Sequence, residues 1–215
     1  MTTRNNINNK DNLSLTEKYR PNRLEDCVLP SRIKSKLEKW KQKSPNHLIF
    51  CGKAGIGKTS TAVALAKEIS KDNYHIINAS KDNSVDYING YLLKLMSCGS
   101  IFGERKIIIL DEADQLTERA QTSLRRPLEE YNRVCSVIFT YNYSEKIIEP
   151  LKSRCFQFNF NSLKEDEKEM QTLCKKRLKE IIKNEKIQIS EDELKQIIQE
   201  NYPDIRKCVN QLELY

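Results

Sequence analysis

The chain has no apolar run approaching the ~20 residues of a membrane-spanning helix, so none is expected anywhere in its 215 residues. It carries only two histidines, His47 and His75, and its seven cysteines are scattered at 27, 51, 98, 135, 155, 174 and 208 with no Cys-x-x-Cys pair. That leaves no zinc-ligand set, and an odd cysteine count without paired spacing argues against a disulfide framework. Most of these thiols sit in apolar stretches, where cysteine behaves as a small core residue, and the simple reading is a reduced, intracellular setting. No internal repeat is visible. Only the Asn-rich start approaches low complexity; it is polar, unlike a signal peptide, and residues 1–13 are expected to be disordered.

Charge is plentiful and slightly one-sided: 37 Lys and Arg face 30 Asp and Glu, a formal net charge of +7. Such a balance suits a partner that carries phosphates and equally suits plain solubility. The length accommodates one medium domain and a small second one.

Short β-rich runs alternate with longer amphipathic ones. His47–Cys51, Tyr74–Ile77, Lys106–Leu110, Cys135–Thr140 and Cys155–Phe158 read as strands, with Lys106–Leu110 apolar on both faces and central. Lys58–Ser70, Val85–Ser97 (Ile88, Leu92 and Leu95 inward) and Thr117–Tyr131 read as helices. This alternation predicts an α/β fold with a parallel five-stranded sheet covered on both sides. Beyond a boundary near Asn161 the pattern becomes all-helical: a helix over Leu163–Glu185, a second opened by a Ser190/Glu193 capping box, and a third starting at Pro203. The expected domains are therefore 1–161 and 162–215.

Gly52-Lys-Ala-Gly55-Ile56-Gly57-Lys58-Thr59 fits the phosphate-loop pattern between a strand and a helix, with Ser60 just inside the helix. Glycines let the backbone turn its N–H groups toward phosphate oxygens, and the helix adds its positive end. Lys58 supplies a charge for the β- and γ-phosphates, and the Thr59 hydroxyl suits Mg²⁺. The apolar run Ile107–Leu110 ends in Asp111-Glu112-Ala-Asp114. Ligands of open α/β sheets bind at the strands' carboxyl ends, so Asp111 is expected beside Thr59 at the metal and Glu112 is placed as general base. Asp114 reads equally well as part of a solvated loop. Together these residues imply a nucleoside triphosphate hydrolase and not merely a binder.

The same two motifs resemble the AAA+ superfamily, and further segments are similar to its sliding-clamp loaders, the replication factor C small subunits. They are Glu17-Lys-Tyr-Arg-Pro21, Asn78-Ala-Ser80, Ala120–Arg126 with Leu-Glu-Glu130, Lys146–Cys155 ending in Ser-Arg-Cys, and Pro203-Asp-Ile-Arg-Lys207, in the family's order. Glu25–Pro30 and the closing stretch are most similar to the loader subunit of T4-like bacteriophages, whereas Asn78–Ser80 and Ala120–Arg126 look more cellular.

The resemblance implies a P-loop AAA+ domain followed by a helical lid. Thr16, Glu17, Lys18 and Tyr19, with Val28, would line the adenine pocket. Asn142 would orient the attacking water or touch the γ-phosphate, and Arg206 would reach the phosphates from the lid. Arg154 would act in trans on a neighbouring subunit's nucleotide. Gln121 and Arg125 would couple the interface to the site, and Asn78 would switch Glu112. Lys81, Asn83 and Ser84 would meet DNA phosphates; a plain helix cap is the competing reading. The implied partners are other loader subunits, a sliding clamp and primer–template DNA read without sequence preference; no membrane is implied. The implied compartment is the cytoplasm, or the nucleus for a cellular eukaryotic loader.

Two features depart from the pattern. Pro127 lies inside the helix carrying Arg125 and Arg126, where it should kink or break it. The sequence also supplies no collar domain, which puts autonomous ring assembly in doubt. The rival expectations are another DNA-remodelling AAA+ motor, of the helicase or initiator type, and a nucleotide-binding scaffold without activity.

Overall fold

The computed structural model describes residues 13–42, 46–81, 83–99, 105–161 and 165–215; the expected disorder of 1–13 lies, apart from Leu13, outside them. Five strands form one parallel sheet: β1 His47–Cys51, β2 Tyr74–Asn78, β3 Lys106–Asp111, β4 Cys135–Tyr141 and β5 Cys155–Asn159. Their order is β2-β3-β4-β1-β5. The centre is thus β4, buried along its whole length, and not β3 as its apolar run suggested. Both strands are covered on two faces, so both read as continuous apolar runs, and hydropathy alone does not rank them.

Side chains alternate across each strand. Ile107 and Ile109 of β3 pack with Leu48, Phe50 and Ile138 on one face. Ile108 and Leu110 pack with Ile49, Val137 and Phe139 on the other. The first face is covered by α2 (Ser31–Gln42) and α3 (Lys58–Ser70), preceded by a short N-terminal helix, α1 (Leu15–Lys18). The second face is covered by a helical run after β2: α4 (Val85–Tyr87), a π turn at Ile88–Leu92 and α5 (Leu93–Ser97). Ile88, Leu92 and Met96 of this run are fully buried, while Leu95, expected inward, is half-buried. The π turn adds a residue to the turn, which favours the four-residue step 88, 92, 96 over position 95.

The helix expected at Thr117–Tyr131 is two helices, α6 (Glu118–Ser123) and α7 (Arg125–Glu130), divided at Leu124. Pro127 has no N–H for the Ser123 carbonyl four residues back, and its ring crowds that carbonyl. The break leaves Pro127 in the first turn of α7, where proline is tolerated. A short α8 (Glu149–Lys152) then leads into β5.

The C-terminal helices are α9 (Glu167–Glu185), α10 (Glu191–Asn201) and α11 (Ile205–Gln211), with a core of their own that includes Cys174, Leu178, Ile181, Leu194, Ile197 and Cys208. The Ser190/Glu193 capping box is present. Two starts differ from expectation. α9 begins at Glu167, after Asp166, whose carboxylate is held by Arg32 Nε at 2.7 Å, with Glu167 and Glu169 complementing the helix N-terminus; Leu163 and Lys164, where it was expected to start, lie outside the described residues. α11 begins at Ile205 and not at Pro203, because Asp204 caps it, accepting from Lys207 N at 2.9 Å. Cys27, Cys135, Cys174 and Cys208 are buried, as their apolar settings indicated. Among the described residues no helix is long and apolar enough to cross a membrane and no metal-binding cluster is present.

His47, 2% exposed, joins the sheet to α7. Its Nδ1 accepts from Val137 N at 3.0 Å and its Nε2 bonds Leu128 O at 2.7 Å, which fixes a neutral ring protonated on Nε2. Burial pushes its pKa down to about 4, against ~6.5 in an unfolded chain. Between those values the unfolded state binds the extra proton, so this contribution is complete above pH 6.5 and is lost as pH falls toward 4, by roughly 3 kcal/mol. Urea unfolding of wild type and His47→Asn at pH 7 and pH 4.5 should show a smaller acid penalty in the variant; equal penalties would contradict the assignment.

Candidate nucleotide site

The reversal of strand order around β1 places the carboxyl ends of β1, β3 and β4 side by side, where open α/β sheets bind ligands. β1 runs into the loop Gly52–Gly57 and then α3. Gly55 and Gly57 have φ of 76° and 93°, which L side chains rarely adopt. A Cβ on Gly55 would also lie 1.9 Å from Asp204 Oδ1, so this glycine is required twice, for its turn and for the approach of α11.

The Lys58 side chain folds back over the loop. Its Nζ donates to Gly52 O at 2.8 Å, Lys53 O at 2.7 Å and Asn142 Oδ1 at 2.9 Å. Burial pushes this ammonium down to about 8, against the pull of Asp111 and Asp114 in the other direction. Thr59 Oγ1 donates to Asp111 Oδ1 at 2.6 Å. The same carboxylate oxygen accepts from Thr140 Oγ1, and Thr140 Oγ1 accepts in turn from Glu112 N at 3.3 Å. Glu112 is exposed and has φ of 56°, a left-handed conformation unusual for a non-glycine residue and of the kind that clusters at functional sites.

One cavity gathers these groups. Its floor is Gly55, Gly57, Lys58, Thr59, Ser60, Asp111, Glu112 and Asn142. One wall is the N-terminal strap with Thr16, Glu17, Tyr19 and Val28; the other is Arg177, Ile181, Ile205, Arg206 and Val209 from α9 and α11. Arg206 N reaches Gly55 O at 3.4 Å.

Several expected residues stand elsewhere. Lys18 does not line the cavity and pairs with Glu185 at 2.9 Å. Ile56 is buried in the core beneath the loop, and Gly52 contributes the carbonyl that holds Lys58. Asn78 Oδ1 accepts from Ser80 N at 2.8 Å and Oγ at 2.7 Å, and no bond to Glu112 is among its contacts. Lys81 and Asn83 are exposed outside the cavity; Ser84 caps α4, its Oγ accepting from Tyr87 N at 3.2 Å. Arg154 lies in a separate groove with Thr122, Arg125, Arg126 and Glu129. Its Nε and Nη2 donate to Glu129 Oε1 at 2.8 and 2.7 Å, and its Nη1 to Pro150 O at 2.7 Å. Gln121, 2% exposed, spends both ends of its amide on backbone: Nε2 on Leu116 O and Lys146 O, Oε1 on Ile148 N. It ties α6 to the segment leading toward Arg154.

Three site residues escaped the sequence reading. Asp114 is 5% exposed and no part of a solvated loop: its Oδ2 accepts from Asn142 N and Tyr143 N at 3.3 Å each, shaping the turn that presents Asn142. Thr140 offered a signal, a hydroxyl following the apolar run Val137–Phe139 at the next-to-last position of β4. Arg177 offered none, being one of many charges on α9.

A phosphate loop after β1, a polar Asn at the end of the neighbouring β4, a carboxylate pair at the end of β3 beyond it and a helical cover bearing an arginine define a P-loop ATPase-type fold of the AAA+ class. Residues 48–164 match the family described as DNA polymerase III, delta subunit, and residues 166–215 match the lid domain of the sliding-clamp-loader large subunit, an AAA+ ATPase. The replication factor C small subunit of Archaeoglobus fulgidus is 38% identical over 203 residues, covering 92% of this chain and 62% of that protein. Human replication factor C subunit 5 is 37% identical over 210 residues, covering 94% of this chain and 60% of that protein. The chain belongs to the clamp-loader family of AAA+ proteins, the group of the replication factor C small subunits. It spans about 60% of the length of these curated relatives. The Thermotoga maritima RuvB Holliday junction branch migration motor superposes with a TM-score of 0.73 at 18% identity, over 91% of this chain and 64% of that one. At that identity the likeness speaks for the fold alone.

Two outcomes are expected of this geometry. A bound polyphosphate would hold the Lys58 proton that the free site releases above pH 8. Rising pH therefore favours the free form, and affinity should be flat below pH 8 and fall by up to tenfold per unit above it. Titrations with a fluorescent ATP analogue from pH 7 to 9.5 check this, and a flat profile throughout would contradict it. Thr140→Val removes the hydroxyl that joins Asp111 to the Glu112 backbone; steady-state kinetics should show kcat lower by about tenfold or more with KM little changed.

Proposed function

We propose that this chain is the ATP-binding and ATP-hydrolysing subunit of a sliding-clamp loader, which opens a ring-shaped clamp and places it at primer–template junctions. The observation that carries the reading is the split of its cationic groups. Lys58 and Arg206 line the chain's own cavity, whereas Arg154 lies in an outward groove beside Arg125 and Arg126. That arrangement suits a nucleotide held between neighbouring subunits.

In this reading Lys58 exchanges its loop carbonyls and Asn142 for the β- and γ-phosphates. The site fits a divalent cation: Thr59 Oγ1 and Asp111 Oδ1 lie 2.6 Å apart beside the loop and would hold Mg²⁺ between them. When bound, that ion supplies neutralising charge at the β- and γ-oxygens. Glu112, held by its backbone to Thr140, polarises the attacking water, and Asn142, released from Lys58, orients it. Arg206 brings the lid onto the phosphates, so lid closure reports an occupied site. The strap residues Thr16, Glu17 and Tyr19, with Val28, form the adenine side. Arg154, freed from Glu129, places its guanidinium on the neighbour's γ-phosphate.

ATP would thus hold adjacent subunits in a spiral that grips duplex through its phosphates, with Lys81, Asn83 and Ser84 at the α4 cap as contacts, and hydrolysis would release it. The partners are other loader subunits, a sliding clamp and primer–template DNA. The compartment is the one where that DNA is copied: the cytoplasm, or the nucleus for a eukaryotic loader.

The test is ATP turnover with partner subunits present, with and without primer–template DNA and clamp, for wild type and Arg154→Ala. Turnover should rise with DNA and clamp and drop by roughly 10³-fold in the variant, while ATP still binds. A rate indifferent to DNA and clamp would sink the loader reading and leave a generic AAA+ ATPase.

A further inference from the structure

The strap that walls the cavity is attached to two different bodies. Its second half belongs to the sheet domain: Leu24 N donates to Glu68 Oε1 at 2.7 Å, and Lys67 Nζ of α3 donates to Asn22 Oδ1 at 2.6 Å. Its first half belongs to the helical lid. The Tyr19 hydroxyl donates to Glu185 Oε1, and the Lys18 ammonium reaches the same carboxylate at 2.9 Å. Arg177 Nη2 donates to Tyr19 O at 2.8 Å, and its guanidinium stands 5.9 Å from the centre of the Tyr19 ring. Leu15 and Tyr19 pack on the lid core with Val28. The polar ties change sides between Tyr19 and Asn22, at Arg20-Pro21, while Val28 beyond them still touches the lid core.

We propose that Glu185, at the last turn of α9 and outside the cavity lining, is a positioning residue for the nucleotide base: it clasps Lys18 and Tyr19 so that the base-side wall travels with the lid. The inference rests on the nucleotide-site reading above and deepens it. Two side chains adjacent in sequence converge on one carboxylate, and a charge-assisted set of this kind is stronger than neutral hydrogen bonds. The strap backbone beyond it is pinned again by Arg177, which also lines the cavity. A lid that swings onto the phosphates through Arg206 therefore brings residues 15–19 with it. Closing the phosphate end and closing the base end become one motion, and opening the clasp frees the base without disturbing the loop around Lys58.

This makes a prediction that separates the clasp from general loss of stability. Tripolyphosphate has the phosphates of ATP and no base. In Glu185→Ala the full chain should bind ATP about tenfold more weakly, through faster dissociation of a fluorescent ATP analogue, with tripolyphosphate affinity unchanged. Glu185→Gln keeps an acceptor for the Tyr19 hydroxyl and should recover most of the loss, while Tyr19→Phe, which retains the ring, should reproduce part of it. Unchanged ATP binding in Glu185→Ala overturns the clasp, as does equal weakening of ATP and tripolyphosphate. Wild-type chain that binds neither ligand would instead overturn the nucleotide-site reading, and the clasp with it.

Discussion

A buried ammonium cannot be left without partners, and Lys58 takes its partners from two strands: the loop that leaves β1 and the Asn142 side chain at the end of β4. That contact is possible only because β4 and β1 are neighbours, Phe50 lying opposite Thr140 and Cys51 opposite Tyr141. Shift the register by one residue and Asn142 leaves the Lys58 ammonium, while the alternation that buries Phe139 and Ile138 on opposite faces reverses. The packing of the sheet and the composition of the site are thus one constraint. The apolar faces fix the register, and the register fixes which polar atoms meet at the strand ends.

The same logic governs the carboxylates. Asp111 and Asp114 are two acids near one ammonium, and each has a separate structural duty, the first on side-chain hydroxyls and the second on backbone. Asp111 Oδ1 collects the hydroxyls of Thr59 and Thr140, which binds α3 to β3 and β4. Asp114 reaches past the end of β3 to the N–H groups of the turn after β4. Between them Glu112 is the residue left outward, in a strained backbone conformation, with its carboxylate uncommitted to backbone. Fixing the two flanking acids is what leaves the middle one available for chemistry.

Short-range patterns in the sequence announced what depends on short-range chemistry. The phosphate loop, the acidic end of β3, the Ser190 capping box and the strand positions all follow from residue type at fixed spacing. What depended on long-range geometry was not legible. β3 and β4 have the same two-faced burial, so nothing in hydropathy said which is central. Pro127 announced a break in the helix, and the partner carbonyl four residues back decided where it fell. Lys18, beside Tyr19 in a binding motif, pointed away from the cavity because a carboxylate 167 residues later in the chain claims it. Asp114 looked like a loop residue because its donors come from the turn after β4, distant in sequence. In each case the missing information was the identity of a partner distant in sequence.

The cavity is also divided among parts of unequal rigidity, and this division bears on how it would work. Its floor is built from the ends of strands buried on both faces and joined by continuous parallel ladders. Its two walls, strap and lid, are joined to each other by Lys18, Tyr19, Arg177 and Glu185; the lid meets the floor at the Arg206–Gly55 contact and the close approach of Asp204 to Gly55, and both walls are tied to the helices on the sheet by Leu24–Glu68, Asn22–Lys67, Ser31–Glu169 and Arg32–Asp166. Local opening follows the weaker set of contacts. At the loop itself the lid's tie to the floor is long, 3.4 Å from Arg206 N to Gly55 O, and a ligand that touches both floor and walls favours the closed arrangement by its differential affinity for it. A site built this way would convert occupancy into a shift of the lid, and a neighbouring subunit packed against that lid would feel the result.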